Sequence, residues 1–185
     1  MGEQRKKHNR REHLNDFHLN VAGEYVYDGA LYACQSDDAK QRRYKRAVWG
    51  MAAILTVAVA AGGCIPAPGM QNCFYVLLPY LGEFLGAASV IWALAKLGMD
   101  WGTVREYNYK KSVAVLPVRT AVTAVFSGLG IVCELIFFFV NDHAGQTFFA
   151  LLYVLLKLIA LLSVLVLRAE IMQAEWDKLP KKNNF

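Results

Sequence analysis

The sequence predicts an all-α integral membrane protein with four antiparallel transmembrane helices. The first observation is a set of four long apolar segments, at 47–63, 74–97, 113–140 and 148–167. Each approaches or exceeds the about 20 residues that an α-helix needs to cross about 30 Å of hydrocarbon. The second observation is the uneven distribution of Lys and Arg over the segments between them. Together they predict the spans and the side of the membrane on which each loop lies.

Basic residues divide the connecting segments into two classes. Of the 20 Lys and Arg, ten lie in 1–46, three in 98–112 and four in 168–185, whereas 64–73 and 141–147 have none. Basic loops stay on the cytoplasmic side because their translocation is disfavoured. We therefore expect both termini and the central loop in the cytoplasm, and the charge-free loops outside. Four crossings also require both termini on one side, and the expected location is the plasma membrane of a bacterium.

The first element is a polar, basic cytoplasmic tail over 1–46. Within it, residues 24–34 hold two β-prone runs around Asp28-Gly29, which predicts a short β-hairpin. The hairpin carries three candidate contacts with a partner: Tyr25, Tyr27 and Tyr32. The net charge of +5 comes from the cytoplasmic flanks, so we expect attraction to anionic lipid headgroups and no nucleic-acid binding.

The four spans of the region 47–168 are predicted to pack closely. The loop 64–73 is short and rich in turn residues, so the first two spans are expected to be antiparallel neighbours. In the second span, the spacing Gly82-x-x-x-Gly86 allows a neighbouring helix to approach closely. After the fourth span, good helix formers continue almost to Pro180, which predicts a cytoplasmic helical extension and tail over 169–185.

Besides Lys96 at the inner end of the second span, four charged residues fall inside the spans: Glu83, Arg119, Glu134 and Lys157. A charge at the bilayer centre costs at least about 2.5–3.5 kcal/mol, so each should face the bundle interior and find a partner. Counted from the outer helix ends, Glu83, Glu134 and Lys157 fall within about 5 Å of one depth. We expect Lys157 to lie between the two glutamates. Arg119 is expected to reach toward the inner headgroups along its long stem.

This intramembrane cluster has two interpretations. Two carboxylates and one ammonium leave one excess negative charge, so one carboxyl is expected to stay protonated, because burial disfavours the charged form. Ionisable residues inside a membrane often mark proton or cation paths, which favours a relay. A buried ion pair can instead be a static contact that fixes helix register while adding little stability.

Cysteine spacing bears on a redox function. Cys64 and Cys73 bracket the first outer loop at the ends of adjacent helices, which makes them a candidate disulfide. Membrane thiol oxidoreductases typically present a Cys-x-x-Cys pair, and the chain has none, so thiol catalysis is a remote alternative. Patterns typical of metal sites, phosphate-binding loops and serine nucleophiles are absent from the sequence. No cofactor, metal or enzymatic activity is therefore predicted.

Two main classes of function remain. The leading hypothesis is a non-enzymatic accessory or assembly subunit of a membrane complex. It would engage a membrane protein partner, or a second copy of itself, through the tyrosines or the basic flanks. The alternative is a small ion-coupled transporter or channel that uses the Glu/Lys cluster. Small, simple outer loops favour the first hypothesis, and a hydrated path to Glu83 would favour the second.

Overall fold

A computed structural model describes residues 17–19, 23, 25–27, 29–34, 38–98, 102–141 and 147–179 of the protein. Within these residues the helices are α1 (Asp38–Cys64), α2 (Pro68–Asn72), α3 (Phe74–Leu97), α4 (Glu106–Lys111), α5 (Leu116–Val140) and α6 (Thr147–Gln173). The strands described are β1 (Phe17–Leu19), β2 (Tyr25–Tyr27), β3 (Leu31–Cys34), β4 (Val104–Arg105) and β5 (Trp176–Lys178).

Four helices, α1, α3, α5 and α6, are long and apolar enough to cross a membrane. This confirms the prediction of a mostly helical chain with four membrane-length apolar helices. Two of the helices run well beyond the predicted apolar segments. α1 begins at Asp38, because several of the basic residues before its apolar part are themselves good helix formers. α6 continues past the predicted end of the fourth span to Gln173.

The helix ends follow from local residues. α3 ends at Leu97 because Gly98 adopts a φ of 72°, a left-handed conformation that favours glycine. The Gly98 amide donates to the carbonyl of Leu94 at 3.1 Å and so caps the last turn. α5 carries Pro117 in its first turn, where the missing amide hydrogen would have no helical partner in any case.

The long helices form a ring in the order α1–α6–α5–α3. The contacts of α1 with α6, α6 with α5 and α5 with α3 are extensive, whereas α1 and α3 touch over a smaller area. The first two spans are therefore neighbours, but the main partner of α1 is α6. The loop between α1 and α3 is more than a turn, because its helix α2 folds back onto the bundle. α2 contacts α3, α5 and α6, and its Pro68 and Gly69 are buried.

Two clusters of buried apolar side chains fill much of the ring. The larger one includes Val48, Leu94, Leu116 and Leu167, and it extends beyond the helices to Val104 of β4. The smaller one lies farther along the same helices, and its largest member is Leu55. Small residues dominate the rest of the smaller cluster, which lets the helix backbones approach closely, as is common in membrane bundles.

A three-stranded antiparallel sheet, in the order β4–β3–β5, closes one end of the ring. β3 precedes α1, β4 follows α3 and β5 follows α6, so three separate chain segments meet here. Tyr32 of β3 lies opposite Val104 of β4 on one side and opposite Lys178 of β5 on the other. We call this end of the bundle the sheet end and the opposite one the α2 end. The segments before α1 and after α6 thus lie at the same end, as four crossings require.

The predicted hairpin over 24–34 is wrong. β2 pairs with β1, with Leu19 opposite Tyr25, and β3 pairs with β4 and β5. The physical reason is that pairing with β2 alone would leave the other edge of β3 without hydrogen-bond partners. As the central strand of a sheet, β3 gains hydrogen-bonded neighbours on both edges and packs against the core.

The predicted helical extension after the fourth span is partly wrong. α6 ends at Gln173, and the chain then forms β5 rather than continuing as a helix toward Pro180. Trp176 explains the change, because as a strand residue it lies opposite Cys34 and packs with its ring 6.0 Å from that of Tyr109. The predicted basic stretch over 1–16 and the end of the tail, 180–185, lie outside the described residues.

Candidate functional site

Three of the four predicted intramembrane charges meet inside the helical ring. Glu83 comes from α3, Glu134 from α5 and Lys157 from α6, and their exposed fractions are 0%, 0% and 2%. They lie nine, six and ten residues from the α2 end of their helices, which corresponds to depths of about 9–15 Å. The three residues form what we call the buried triad.

Lys157 and Glu83 form the ion pair of the buried triad. The Nζ atom of Lys157 donates to Oε2 of Glu83. The same Nζ lies 4.6 Å from the ring centroid of Tyr80 and 5.1 Å from that of Tyr153. Aromatic faces attract cations, and more strongly where water is excluded. The ammonium is thus enclosed by one carboxylate and two rings.

Glu134 has no comparable partner. Its carboxylate lies against the backbone of Gly69 in α2, so close that a β-carbon on residue 69 would collide with its Oε2 atom. Neither oxygen of Glu134 has a partner at normal hydrogen-bond geometry within the described chain, and the same is true of Oε1 of Glu83 and the hydroxyl of Tyr153. The buried triad therefore carries two carboxyls against one ammonium.

A polar face of α5 leads to Glu134 from the sheet end. Its buried members, spaced at helical intervals, are Thr120, Thr123, Ser127 and Gly130. The hydroxyl of Thr123 donates to the carbonyl of Arg119 at 2.8 Å, and that of Ser127 donates to the backbone carbonyl of Lys157 at 3.4 Å. Backbone carbonyls accept the hydrogen bonds of these hydroxyls, so this face of α5 can pack closely against its neighbours although it is polar.

Close packing places α3 against this face of α5. A β-carbon on Gly86 would lie 3.3 Å from the Cα atom of Thr123, and one on Gly82 would collide with the ring of Phe126. Both glycines of the predicted Gly82-x-x-x-Gly86 spacing therefore face α5. The approach that they permit brings Glu83 into the interior.

Arg119 lies apart from the buried triad, and its predicted reach toward the inner headgroups is wrong. Its Nη1 atom donates to the backbone carbonyl of Ser89 at 2.5 Å. Ser89 lies six residues after Glu83, about 9 Å nearer the sheet end. The guanidinium thus satisfies a helix carbonyl of α3. Arg168 acts similarly at the same end, where it donates to the carbonyl of Pro117.

Three residues of the site escaped the sequence analysis: Tyr80, Tyr153 and Gly69. Two of them had a signal in the sequence. Tyr153 lies one helical turn before Lys157, and Tyr80 lies three residues before Glu83, so each shares a helix face with a charge. Gly69 had none, because no local pattern shows that the loop 64–73 folds back onto α5.

The predicted disulfide between Cys64 and Cys73 is not formed in the structure, where both residues are free thiols. Cys64 is exposed at the end of α1, and Cys73 is half-buried just before α3. The loop between them does not simply reverse direction, because α2 turns toward the bundle interior. Cys133, the residue before Glu134, is also a free thiol.

The three candidate contact tyrosines have different surroundings. Tyr32 stacks on Tyr109 with parallel rings 4.2 Å apart, and it belongs to the packed face of the sheet. Tyr27 packs against the ring of Phe17 at 5.2 Å and under the guanidinium of Arg105. Tyr25 is 74% exposed. Of the three, Tyr25 presents its side chain to the surroundings.

Comparisons with protein-family models, with curated proteins and with solved structures find no match to this chain. Within the described ranges, no three His, Cys, Asp or Glu side chains come together in an arrangement that could hold a metal ion.

Proposed function

We propose that the protein is a non-enzymatic accessory or assembly subunit of a membrane complex, and that its sheet end engages the partner. The observation that carries this proposal is the sheet itself. Three segments from different parts of the chain combine into one folded surface at a single end of the bundle. Loops alone would be enough to connect four spans at this end, so a folded sheet there supports a further role.

The sheet end is rigidly built. The rings of Tyr32, Tyr109 and Trp176 pack in series, and Val104 joins the sheet to the apolar core. The separate β1–β2 pair is held beside the sheet by Arg105, whose guanidinium lies 5.4 Å from the ring of Phe17 and 5.2 Å from that of Tyr27. Preorganised surfaces lose less entropy on binding, which supports a docking role.

Charge supports a cytoplasmic position for this surface. The first turns of α1 carry exposed basic side chains, Lys40, Arg42, Arg43 and Arg46. By the positive-inside rule, the sheet end then faces the cytoplasm of a cell whose plasma membrane holds the protein. The same side chains would lie near anionic headgroups, each contributing about 1 kcal/mol of attraction.

A second candidate function is a small ion-coupled transporter or channel. The observation that favours it is Glu134, which is fully buried and has no side-chain partner among the described residues, while the ammonium beside it is paired with Glu83. Unpaired ionisable groups at this depth are expensive and often belong to proton or ion paths. The leading proposal is preferred because all three charges are only 0–2% exposed, so neither end of the bundle opens onto them in this conformation.

Photo-crosslinking in cells tests the docking role. A photoreactive phenylalanine analogue replaces Tyr25 in the full chain, and a matched variant carries it at Phe139, which is 81% exposed at the α2 end. We expect position 25 to give a discrete adduct that position 139 does not give. An adduct of about twice the 20.7 kDa chain mass would identify the partner as a second copy.

Two results would contradict the proposal. Position 25 could give no adduct although the variant reaches the membrane at the normal level. Alternatively, the two positions could give the same set of adducts, which would show non-specific collision within the bilayer. A third variant, Tyr25→Ala, checks the contact without a crosslinker. The partner identified by crosslinking should co-purify less well with this variant, because the contacting side chain is lost.

A further inference from the structure

Four of the five buried side-chain polar atoms without partners in the described residues lie together, and the fifth, Nε1 of Trp49, belongs to a ring packed against the larger apolar cluster. Both carboxylate oxygens of Glu134, one of Glu83 and the hydroxyl of Tyr153 all belong to the buried triad or to the ring beside it. Tyr153 also contacts the ammonium of Lys157 through its ring face. Buried polar groups in proteins are nearly always hydrogen-bonded, so a group of unpaired oxygens at one place requires an explanation.

The charge of the buried triad points to a missing positive charge. If both carboxyls were ionised, one negative charge would remain unbalanced in a region with 0–2% exposure. A buried group in that position usually becomes neutral rather than remaining charged. The neutralising species is either a proton on a carboxyl or a bound monovalent metal ion.

The geometry favours a proton over a metal ion, and Glu134 over Glu83 as its carrier. The ammonium of Lys157 already occupies the centre of the site, and a metal ion beside it would be repelled. Glu83 bonds directly to that ammonium, which stabilises its ionised form. We propose that Glu134 is a proton-binding site, covered at the α2 end by the backbone of Gly69.

Groups from several elements face Glu134. On α6 these are the ammonium of Lys157 and the hydroxyl of Tyr153, and on α3 the hydroxyl of Tyr75. Cys133 precedes Glu134 on α5, and α2 contributes the Gly69 backbone. Lys157, paired with Glu83, is the cation among them. A protonated Glu134 carboxyl can donate a hydrogen bond, and the hydroxyl oxygens of Tyr75 and Tyr153 can accept one.

The position of α2 over Glu134 determines the path by which the proton would exchange with solvent. Toward the sheet end, the two apolar clusters lie beside the polar face of α5, whose buried hydroxyls already donate to backbone carbonyls. Toward the α2 end, Glu134 meets the short helix α2, which has two residues, Pro68 and Gly69, buried. Displacement of this one short element would expose the carboxyl. Exchange is therefore expected through movement of α2.

Infrared spectroscopy of the full-length protein in lipid nanodiscs tests the proposal. A protonated carboxyl has a carbonyl band separate from the carboxylate bands, and exposed glutamates are ionised at neutral pH. We expect the wild-type protein to show this band at neutral pH and Glu134→Gln to lose it completely. Glu175→Gln, at an exposed position outside the spans, is the matched control and should keep it.

The alternatives give different spectra. Loss of the band in Glu83→Gln, with retention in Glu134→Gln, would place the proton on Glu83 and overturn the assignment. Absence of the band from the wild-type protein, with a thermal shift specific to Na⁺ or K⁺, would favour a metal ion instead. Glu134→Gln has nearly the shape of a protonated glutamate, so it should fold, and an unchanged melting temperature checks this.

The rate at which deuterium replaces the Glu134 proton, followed by the shift of the same band, tests whether exchange requires movement of α2. Gly69→Ala forces α2 away from Glu134, because the added methyl group would overlap the carboxylate, so exchange should become at least several-fold faster. Gly62→Ala at the same end is the control, since its methyl group would make an ordinary 3.9 Å contact with Tyr153. Equal exchange rates in both variants would overturn the path through α2. Neither result depends on crosslinking at position 25, so the two proposals can fail separately.

Discussion

Lys157 combines charge and packing in the interior of the bundle. It is the cation of the buried triad and also contacts two aromatic rings, so its removal affects charge and packing together. Such a pair adds little stability compared with apolar residues of the same size, but breaking it leaves an uncompensated charge. We therefore expect the residue to specify which helix faces meet more than it strengthens their contact.

A double-mutant comparison tests whether Glu83 and Lys157 form one unit. Lys157→Leu alone should lower the free energy of unfolding by about 3–5 kcal/mol, because Glu83 loses its counter-charge. Lys157→Leu combined with Glu83→Leu should recover much of that loss, since no unpaired charge remains from the pair. Unfolding in mixed micelles with increasing denaturing detergent measures both. Losses that simply add would mean that the two side chains do not interact.

At the scale of elements, the long helices followed from the sequence because each one carries its own signal. A run of about 20 apolar residues must be helical in a bilayer, whatever surrounds it. The depth of the charges then brought Glu83, Glu134 and Lys157 together, and the Gly82/Gly86 spacing predicted a close helix contact, whose partner the structure identifies as α5. These features depend on local periodicity alone.

The short elements did not follow from the sequence, because their partners are distant in the chain. Residues 25–27 and 31–34 are β-prone, as expected, yet their pairing was set by segments around residues 18, 105 and 177. The contact of α2 with Glu134 is similar, because it joins two segments that are far apart in the chain. Contacts between segments many residues apart require a loop to close, which costs chain entropy, and no local sequence motif predicts them.

An engineered disulfide tests the pairing of β3 with β5. Ala33 lies directly opposite Asp177, so Ala33→Cys with Asp177→Cys in a Cys34→Ala background should form a disulfide on mild oxidation. Ala33→Cys with Leu179→Cys is the matched control, because the diagonal distance exceeds the about 4 Å between β-carbons that a disulfide needs. Resistance to alkylation until a reductant is added measures the bond. Equal oxidation of both pairs would contradict the register.

At the scale of the whole molecule, the two ends of the bundle differ in construction and charge. The sheet end gathers three chain segments and bears the exposed basic residues of α1. The α2 end has a loop, 64–73, without any Lys or Arg, and it covers the carboxyl of Glu134. The docking proposal depends on this polarity, since a cytoplasmic partner requires the sheet end inside. The proton-binding proposal places exchange at Glu134 through the α2 end, whichever side of the membrane that end faces.

The orientation of the protein in the membrane tests this account most directly. In a background without the four native cysteines, Gln71→Cys marks the α2 end, and Lys110→Cys, whose side chain is 67% exposed, marks the sheet end. A membrane-impermeant thiol reagent applied to intact cells should label position 71. It should label position 110 only after the membrane is permeabilised. Labelling of position 110 in intact cells, with protection of position 71, would contradict the account.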